Sequence, residues 1–327
     1  MSSSQTLRAV IYHGNCPDGL ACAHLLAQSS TPDSLFFPVS PSDSRTWPPP
    51  DDLVGHEIVF ADVVFPAADM KRYQEVAEAL GQSVLVLDHH PLAASVCAEG
   101  GCAAESVTAT DRCAAWLVHE YLYPGTEIPD WLKFLDGIDN WRDITNEHRA
   151  LRELWHPIAC KAVKEAPQAA LLEFGALLEV IATDEGWASA IAEGLGLYRE
   201  KVRALSDQLD ASPRRFYRGI LPTWAGDVYV TNTGRQFIGS NEFDTTAASE
   251  LVFEAHKGVT VFINYHEVRW LERSKGGHGV QKRKYVFHAR TRDGSGVDLT
   301  QCPILKGHAA AAGGHVMDEG RPIPFIF

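Results

Sequence analysis

Residues 7–28 read LRAVIYHGNCPDGLACAHLLAQ, an apolar run, a polar turn and then a segment with one apolar face. Leu7 to Tyr12 reads as a buried strand that breaks at Gly14. A short continuous apolar run closed by a turn signal is the pattern of a strand covered on both sides. From Pro17 to Gln28, the residues Leu20, Ala21, His24, Leu25 and Leu26 fall on one helical face. Pro17 suits a first helical turn, where its missing N–H is no loss.

The alternation continues outward. Leu35 to Val39 is a short strand, Ser40 to Asp52 a loop rich in Pro, Ser and Asp, and Glu57 to Ala61 another strand. Pro66 to Leu80 is an amphipathic helix that Gly81 stops, and Ser83 to Leu87 is a further core strand. Strand–helix–strand at this rhythm predicts a parallel, helix-covered sheet. Residues 111–178 are mostly helical in pattern, with Asp111 as N-cap before Cys113 to Tyr123. Trp187, Ile191, Leu195, Tyr198, Val202, Leu205 and Leu209 then recur every three or four residues, a helix of about seven turns with one apolar stripe. Beyond Pro213, strands are expected at Arg214–Gly219, Val228–Asn232, Val259–Tyr265 and Tyr285–Arg292, with a helix near Thr245–Glu254. The expected class is α/β: a mainly parallel-sheet domain over 1–183, a connector helix over 184–211 and a smaller α/β domain over 212–327.

Composition narrows the function classes. The 327 residues are 45% hydrophobic and 22% charged, ordinary for a globular chain and unlike a disordered, collagenous or disulfide-scaffolded one. No apolar run approaches the ~18 residues of a membrane span. Met-Ser-Ser-Ser-Gln-Thr at the start lacks a basic region leading into an apolar stretch, so no signal peptide is expected. Seven scattered cysteines without a Cys-x-x-Cys pair predict reduced thiols and a cytoplasmic location. A net charge of −13 is the wrong sign for gripping long duplex nucleic acid. It is compatible with a small phosphorylated partner or a short oligonucleotide if bound cations cancel the field. No membrane partner is expected, and oligomeric state leaves no mark on the sequence.

Three strand ends in the first domain carry metal-competent side chains. They are His13-Gly14-Asn15-Cys16-Pro17-Asp18-Gly19, Phe60-Ala61-Asp62 and Asp88-His89-His90-Pro91. Taken singly, His13 is an ordinary loop histidine, Asp62 a helix N-cap before Pro66, and adjacent histidines mean little. Jointly, in a parallel sheet, these ends line one crevice, the usual ligand site of open α/β folds. Carboxylates and imidazoles meeting there suit Mn²⁺, Mg²⁺ or Zn²⁺.

The chain resembles the DHH phosphoesterase superfamily in the order of five motifs spanning nearly its whole length. Asp88-His89-His90 matches the name-giving triplet, His13 to Gly19 the first motif and Asp62 the second. Residues 134–141, Phe-Leu-Asp-Gly-Ile-Asp-Asn-Trp, are similar to the fourth. Residues 306–314, Lys-Gly-His-Ala-Ala-Ala-Ala-Gly-Gly, are similar to the Gly-His-x-x-Ala-Ala-Gly signature of the DHHA1 substrate domain. The resemblance implies a two-metal phosphoesterase, commonly Mn²⁺-dependent, with its active site between two domains. It implies His13 and Asp18 as metal ligands, Asp62 bridging both ions, and His89 and Asp139 on the second, with Asp136 the competing candidate for the fourth motif. Asp88 would orient a ligand and His90 would face the substrate phosphate. The first motif departs from the pattern: many relatives have two acidic residues there, whereas Cys16-Pro17-Asp18-Gly19 has one carboxylate. Either one ion binds more weakly, or Cys16, Asn15 or water takes the place, and a thiolate would favour zinc or another softer metal.

Two cations roughly 3.5–4 Å apart can generate hydroxide near neutral pH and clamp phosphate oxygens. They also remove the repulsion between clustered carboxylates and a phosphate. The sequence has neither a nucleophile elbow nor a Walker loop. In the second domain, Arg269, Arg273, Lys275, Lys282, Arg283, Lys284, Arg290 and Arg292 surround Gly276-Gly277, either a solvated hairpin tip or a phosphate-facing arm. Relatives place an Arg-containing strand before the Gly-His motif, which implies Arg290, Arg292, Gly307 and His308 at the substrate. The expected activity is hydrolysis of short oligonucleotides or of linear or cyclic nucleotide phosphodiesters. The alternatives are a pyrophosphate or polyphosphate hydrolase of the same superfamily and a non-catalytic nucleotide-binding relative.

Overall fold

The computed structural model describes residues 6–317 apart from positions 42, 83, 104, 165, 213, 219–226, 233–244, 274–278, 293, 303, 304 and 308–310. Strand β1 (Arg8–His13) is followed by α1 (Pro17–Gln28), β2 (Leu35–Val39), β3 (Glu57–Ala61), α2 (Ala67–Glu78), β4 (Leu85–Asp88), α3 (Ala93–Gly100) and β5 (Val107–Thr108). All four pairings in this sheet are parallel, in the order β2-β1-β3-β4-β5. Four helices come next, α4 (Ala114–Leu122), α5 (Asp130–Asp139), α6 (Asn146–Lys164) and α7 (Pro167–Ile181), and then the 28-residue α8 (Asp184–Ala211).

Both faces of the sheet are buried, and the period of two decides which core each side chain joins. Val10, Tyr12, Val59, Ala61, Leu85 and Leu87 face α1 and the helices α4 to α7, where Trp155 and Phe174 are fully buried. Ala9, Ile11, Ile58, Phe60, Val84 and Val86 face α2, from which Met70, Tyr73 and Ala77 close the layer. The loop expected over Ser40–Asp52 contains two 3₁₀ turns, Ser44–Thr46 and Pro50–Leu53. It is fixed by aromatic contacts: Trp47 stacks on Phe65 at 3.8 Å between centroids, and Tyr73 Oη donates to the Pro48 carbonyl. Such ring pairs contribute about 0.5–1.5 kcal/mol beyond their burial.

The chain divides into two compact units, Met1–Tyr198 and Arg199–Phe327, so the division falls within α8. In the second unit, β6 (Arg214–Arg218), β7 (Asp227–Asn232), α9 (Thr245–Ala255), β8 (Val259–Arg273), β9 (Gly279–Thr291), β10 (Lys306–Gly307) and β11 (Ala311–Met317) follow in order. The sheet runs β10-β11-β9-β8-β7-β6, with β7–β8 its one parallel pair among the described strands. Val228, Val230, Val261, Ile263, Phe287 and Ala289 form one apolar face, capped by Val297, Leu299 and Leu305. Tyr229 and Phe262 form the other, against Val252 and Phe253 of α9 and Leu209 at the end of α8.

β8 and β9 extend well past the ends the apolar pattern predicts, to Arg273 and from Gly279. Hydrophobic alternation stops where a strand leaves its core, but the backbone ladder continues wherever a partner strand remains. No helix among the described residues is long and apolar enough to cross a membrane.

Candidate metal centre

In a doubly wound sheet of order 2-1-3-4-5, the crevice opens where the strand order reverses, between β1 and β3 at their C-terminal ends. His13 ends β1, Asp62 follows β3, and Asp88 ends β4 with His89 and His90 directly after it. Asn15 and Asp62 both adopt φ of +59°, and Trp141, just past α5, adopts +51°. Left-handed backbone costs a non-glycine residue about 1–2 kcal/mol, and such residues gather at functional sites. Gly19 is obligatory in this turn, because a Cβ there would lie 2.2 Å from the His13 carbonyl oxygen.

Three carboxylates converge on one imidazole nitrogen. His89 Nε2 lies 3.3 Å from Asp139 Oδ2, 3.4 Å from Asp62 Oδ1 and 4.0 Å from Asp18 Oδ2. On the far side of Asp62, Oδ2 lies 3.3 Å from His13 Nδ1. Asp18, Asp62 and His89 are each no more than 3% exposed. The side chains form three overlapping sets whose ligand atoms lie within 4.8 Å of one another: His13, Cys16 and Asp62; Asp62, His89 and His90; Asp18, His89 and Asp139. Asp62 is shared by the first two sets and His89 by the last two.

Asp88 stands behind this group. Its Oδ1 accepts the backbone N–H of His90 at 3.0 Å and bonds its Nδ1 at 2.7 Å, which sets the ring's orientation. Asp18 has a second duty. Its Oδ2 accepts the Ala114 amide at 2.8 Å and its Oδ1 the Ala115 amide at 2.9 Å, so a carboxylate 96 residues upstream caps α4. Asp111, the cap expected from the sequence, does not fill this role. The N-cap position is Cys113, whose amide donates to Asp136 Oδ1 at 2.7 Å.

The structure separates Asp136 from Asp139, although one helical turn of α5 spans them. Asp139 enters the third set. Asp136 enters none: Oδ1 also accepts from Asn140 Nδ2, and Oδ2 pairs with Arg142 at 2.7 Å and faces Arg112 at 3.8 Å. Its oxygens are committed to holding the turn after α5 and the start of α4. Arg112 and the Ala114 and Ala115 amides are the contributors sequence reading missed, and no local pattern announces them.

Burial and mutual repulsion set the charges here. Burial, with Asp62 and Asp139 close by, pushes Asp18 well above the carboxylate range. Burial raises Asp139 to about 6, assisted by Asp62 and opposed by His89. For Asp62 burial also acts upward, but the imidazoles of His13 and His89 beside it outweigh it and hold the group low. Burial disfavours the imidazolium at His89, yet Asp62, Asp139 and Asp18 together raise it to about 10. His90 is likewise lifted to about 9, chiefly by Asp88, against its own burial. Cys16 is pushed well up by burial and by the same three carboxylates.

The residues fit divalent cations. Asp62 Oδ2 and Asp139 Oδ2 are buried and accept no hydrogen bond among the described residues, although each lies beside an imidazole. Buried carboxylate oxygens without donors are costly unless a cation completes them. The donor set of imidazole and carboxylate is one that Mn²⁺, Mg²⁺ and Zn²⁺ accept.

In the second unit, Arg292 Nε donates to Val259 O, and Nη2 donates to Phe253 O and His256 O, at 2.6–2.8 Å. These bonds tie Arg292 to the end of α9 and the start of β8. Arg290 Nη1 donates to the Ala289 carbonyl at 2.9 Å, and its backbone pairs with Phe262 and Ala311. Gly307 lies in β10 opposite Ala312. His308, Lys275 and Gly276-Gly277 lie outside the described residues, as do the side chains of Arg269, Arg273, Lys282, Arg283 and Lys284. The chain matches no protein-family model and no curated protein.

Proposed function

We propose that this chain is a metal-dependent phosphodiesterase of the DHH type, acting on short oligonucleotides or on linear or cyclic nucleotide phosphodiesters. The observation that carries the reading is the convergence of Asp18, Asp62 and Asp139 on His89 Nε2 at the switch point of a parallel sheet. With all three carboxylates ionised, the group around one imidazole would carry negative charge that divalent cations balance. His13, Asp18, Asp62, His89 and Asp139 would hold two such ions, with Mn²⁺ the leading candidate and Asp62 shared between them. When bound, the ions lower the pKa of water and neutralise phosphate oxygens.

The chain's own residues do the rest. Asp62, held ionised by His13 and His89, presents one oxygen to each side of the site. Asp88 fixes His90 through Nδ1. In the metal-free chain Asp88 lifts His90 to about 9, and a protonated His90 would donate to a phosphate oxygen or protonate a leaving alkoxide. The resemblance adds an Arg-bearing strand in the second unit, with Arg290 and Arg292, that would bind a further phosphate group.

The test is metal-free protein titrated with Mn²⁺ and assayed in parallel on pApA, 3′,5′-cAMP and pyrophosphate. Turnover of pApA or cAMP without pyrophosphate supports the proposal. Pyrophosphate turnover alone assigns the chain to anhydride hydrolysis, and silence on all three with metal bound rejects catalysis on these substrates.

A further inference from the structure

We infer that Cys16 is itself a metal ligand, so that the half of the centre built from His13, Cys16 and Asp62 is a nitrogen–sulfur–oxygen site selective for a thiophilic divalent cation of the zinc class. The inference deepens the metal-centre reading above and rests on it.

The sequence leaves the first motif one carboxylate short, and the structure places a sulfur where ligands gather. Cys16 Sγ, a ring nitrogen of His13 and a carboxylate oxygen of Asp62 lie within 4.8 Å of one another. A second observation points into the same place: Asp62, 1% exposed, has its Oδ2 buried and accepting no hydrogen bond among the described residues. That oxygen lies on the His13 side of the carboxylate, while Oδ1 lies on the His89 side. Asp62 therefore offers its oxygens to two differently composed halves. The other half, Asp18, His89 and Asp139, has no sulfur and suits harder cations.

Chemistry separates these halves. Thiolate sulfur favours zinc and other softer ions over Mg²⁺ or Mn²⁺, whereas carboxylate-rich sets accept the harder ions. Cys16 occupies the N-cap position of α1, two residues before Asp18. On binding, the S–H proton leaves to solvent as the sulfur–metal bond forms. The centre would thus hold two unlike cations.

The test uses Co²⁺ as probe on metal-free full-length protein, read by absorption spectroscopy with bound cobalt counted independently. The expected result is a thiolate-to-Co²⁺ charge-transfer band that is lost in Cys16→Ser while Co²⁺ still binds at His89 and Asp139. Zn²⁺ affinity should fall at least tenfold in that variant, with Mn²⁺ affinity changed far less. A parallel measurement on wild type covers a variant that fails to fold: bound Zn²⁺ should protect Cys16 from alkylation, read by mass spectrometry. Cobalt bound without a charge-transfer band, a band that survives Cys16→Ser, or alkylation unaffected by Zn²⁺ would overturn the assignment and leave the metal centre standing. Failure of wild type to bind Co²⁺, Zn²⁺ or Mn²⁺ at all would overturn the metal-centre reading, and this inference with it.

Discussion

Asp88 Oδ1 holds His90 twice, through the backbone amide at 3.0 Å and through ring Nδ1 at 2.7 Å. With Nδ1 bonded to the carboxylate, the ring's orientation is fixed from behind. Partners of this kind orient a reacting or ligating histidine, and losing them typically costs 10–100-fold. Asp88→Asn should lower kcat by roughly 10–100-fold with bound metal unchanged, as counted by elemental analysis. Unchanged kcat would remove His90 from the reaction.

Asp18 and Asp139 belong to one ligand set but differ in what they do for the fold. Asp18 accepts two buried amides of α4, whereas Asp139 Oδ2 accepts no hydrogen bond among the described residues. In metal-free protein, Asp18→Asn turns an NH2 toward one of the two buried amides and should cost about 1–3 kcal/mol, while Asp139→Asn should cost under about 1 kcal/mol. Urea unfolding of the chelated proteins gives the comparison, and equal costs would contradict it.

The histidines give the metal-free protein a distinctive pH response. His89 and His90 are raised to about 10 and about 9, above their unfolded value near 6.5. Their contribution to stability is therefore complete below about 6.5 and lost as pH rises through 9–10. Asp139, raised to about 6, acts in the same direction: its contribution is complete below about 4 and lost as pH rises through 6. Asp62, held low, contributes above about 4 and does not change over this window. Chelated protein should thus lose Tm steadily from pH 6.5 to 10, and the Tm gain from Mn²⁺ should grow as competing protons leave. A chelated Tm that is flat or rising over that range would show that the imidazoles do not carry the cluster's charge.

Two arginines two residues apart should behave differently. Arg292→Ala removes three bonds, two at the end of α9 and one to the first residue of β8, and should destabilise the protein by about 2–3 kcal/mol. For Arg290→Ala the expected change is mainly in KM, as for lost uniform binding. Steady-state kinetics alongside thermal unfolding distinguishes them, and an unchanged KM for Arg290→Ala takes that side chain off the substrate.

The first sheet was largely legible because both its faces are buried. Continuous apolar runs bounded by Gly and Pro gave α1 its observed limits, Pro17–Gln28, and β3 its limits, Glu57–Ala61. The two-residue β5 is too short to leave a period, and the outer halves of β8 and β9 outrun their apolar alternation. At the site, each strand end announced the side chains that meet there. What no local pattern encodes is a bond across 96 residues, such as Asp18 to the start of α4, or the choice between Asp136 and Asp139, which only the positions of Cys113, Asn140 and Arg142 decide.

Asp62 touches both sides of the centre, so the most direct test is its removal. Mn²⁺ stoichiometry and pApA turnover would be measured in one titration on wild type and Asp62→Ala, with circular dichroism confirming that both are folded. Two ions and turnover in wild type, against loss of both to background in the variant, is the predicted result. An Asp62→Ala protein that still binds two ions, or keeps most of the parent rate, would contradict the shared-carboxylate centre on which the proposed chemistry depends.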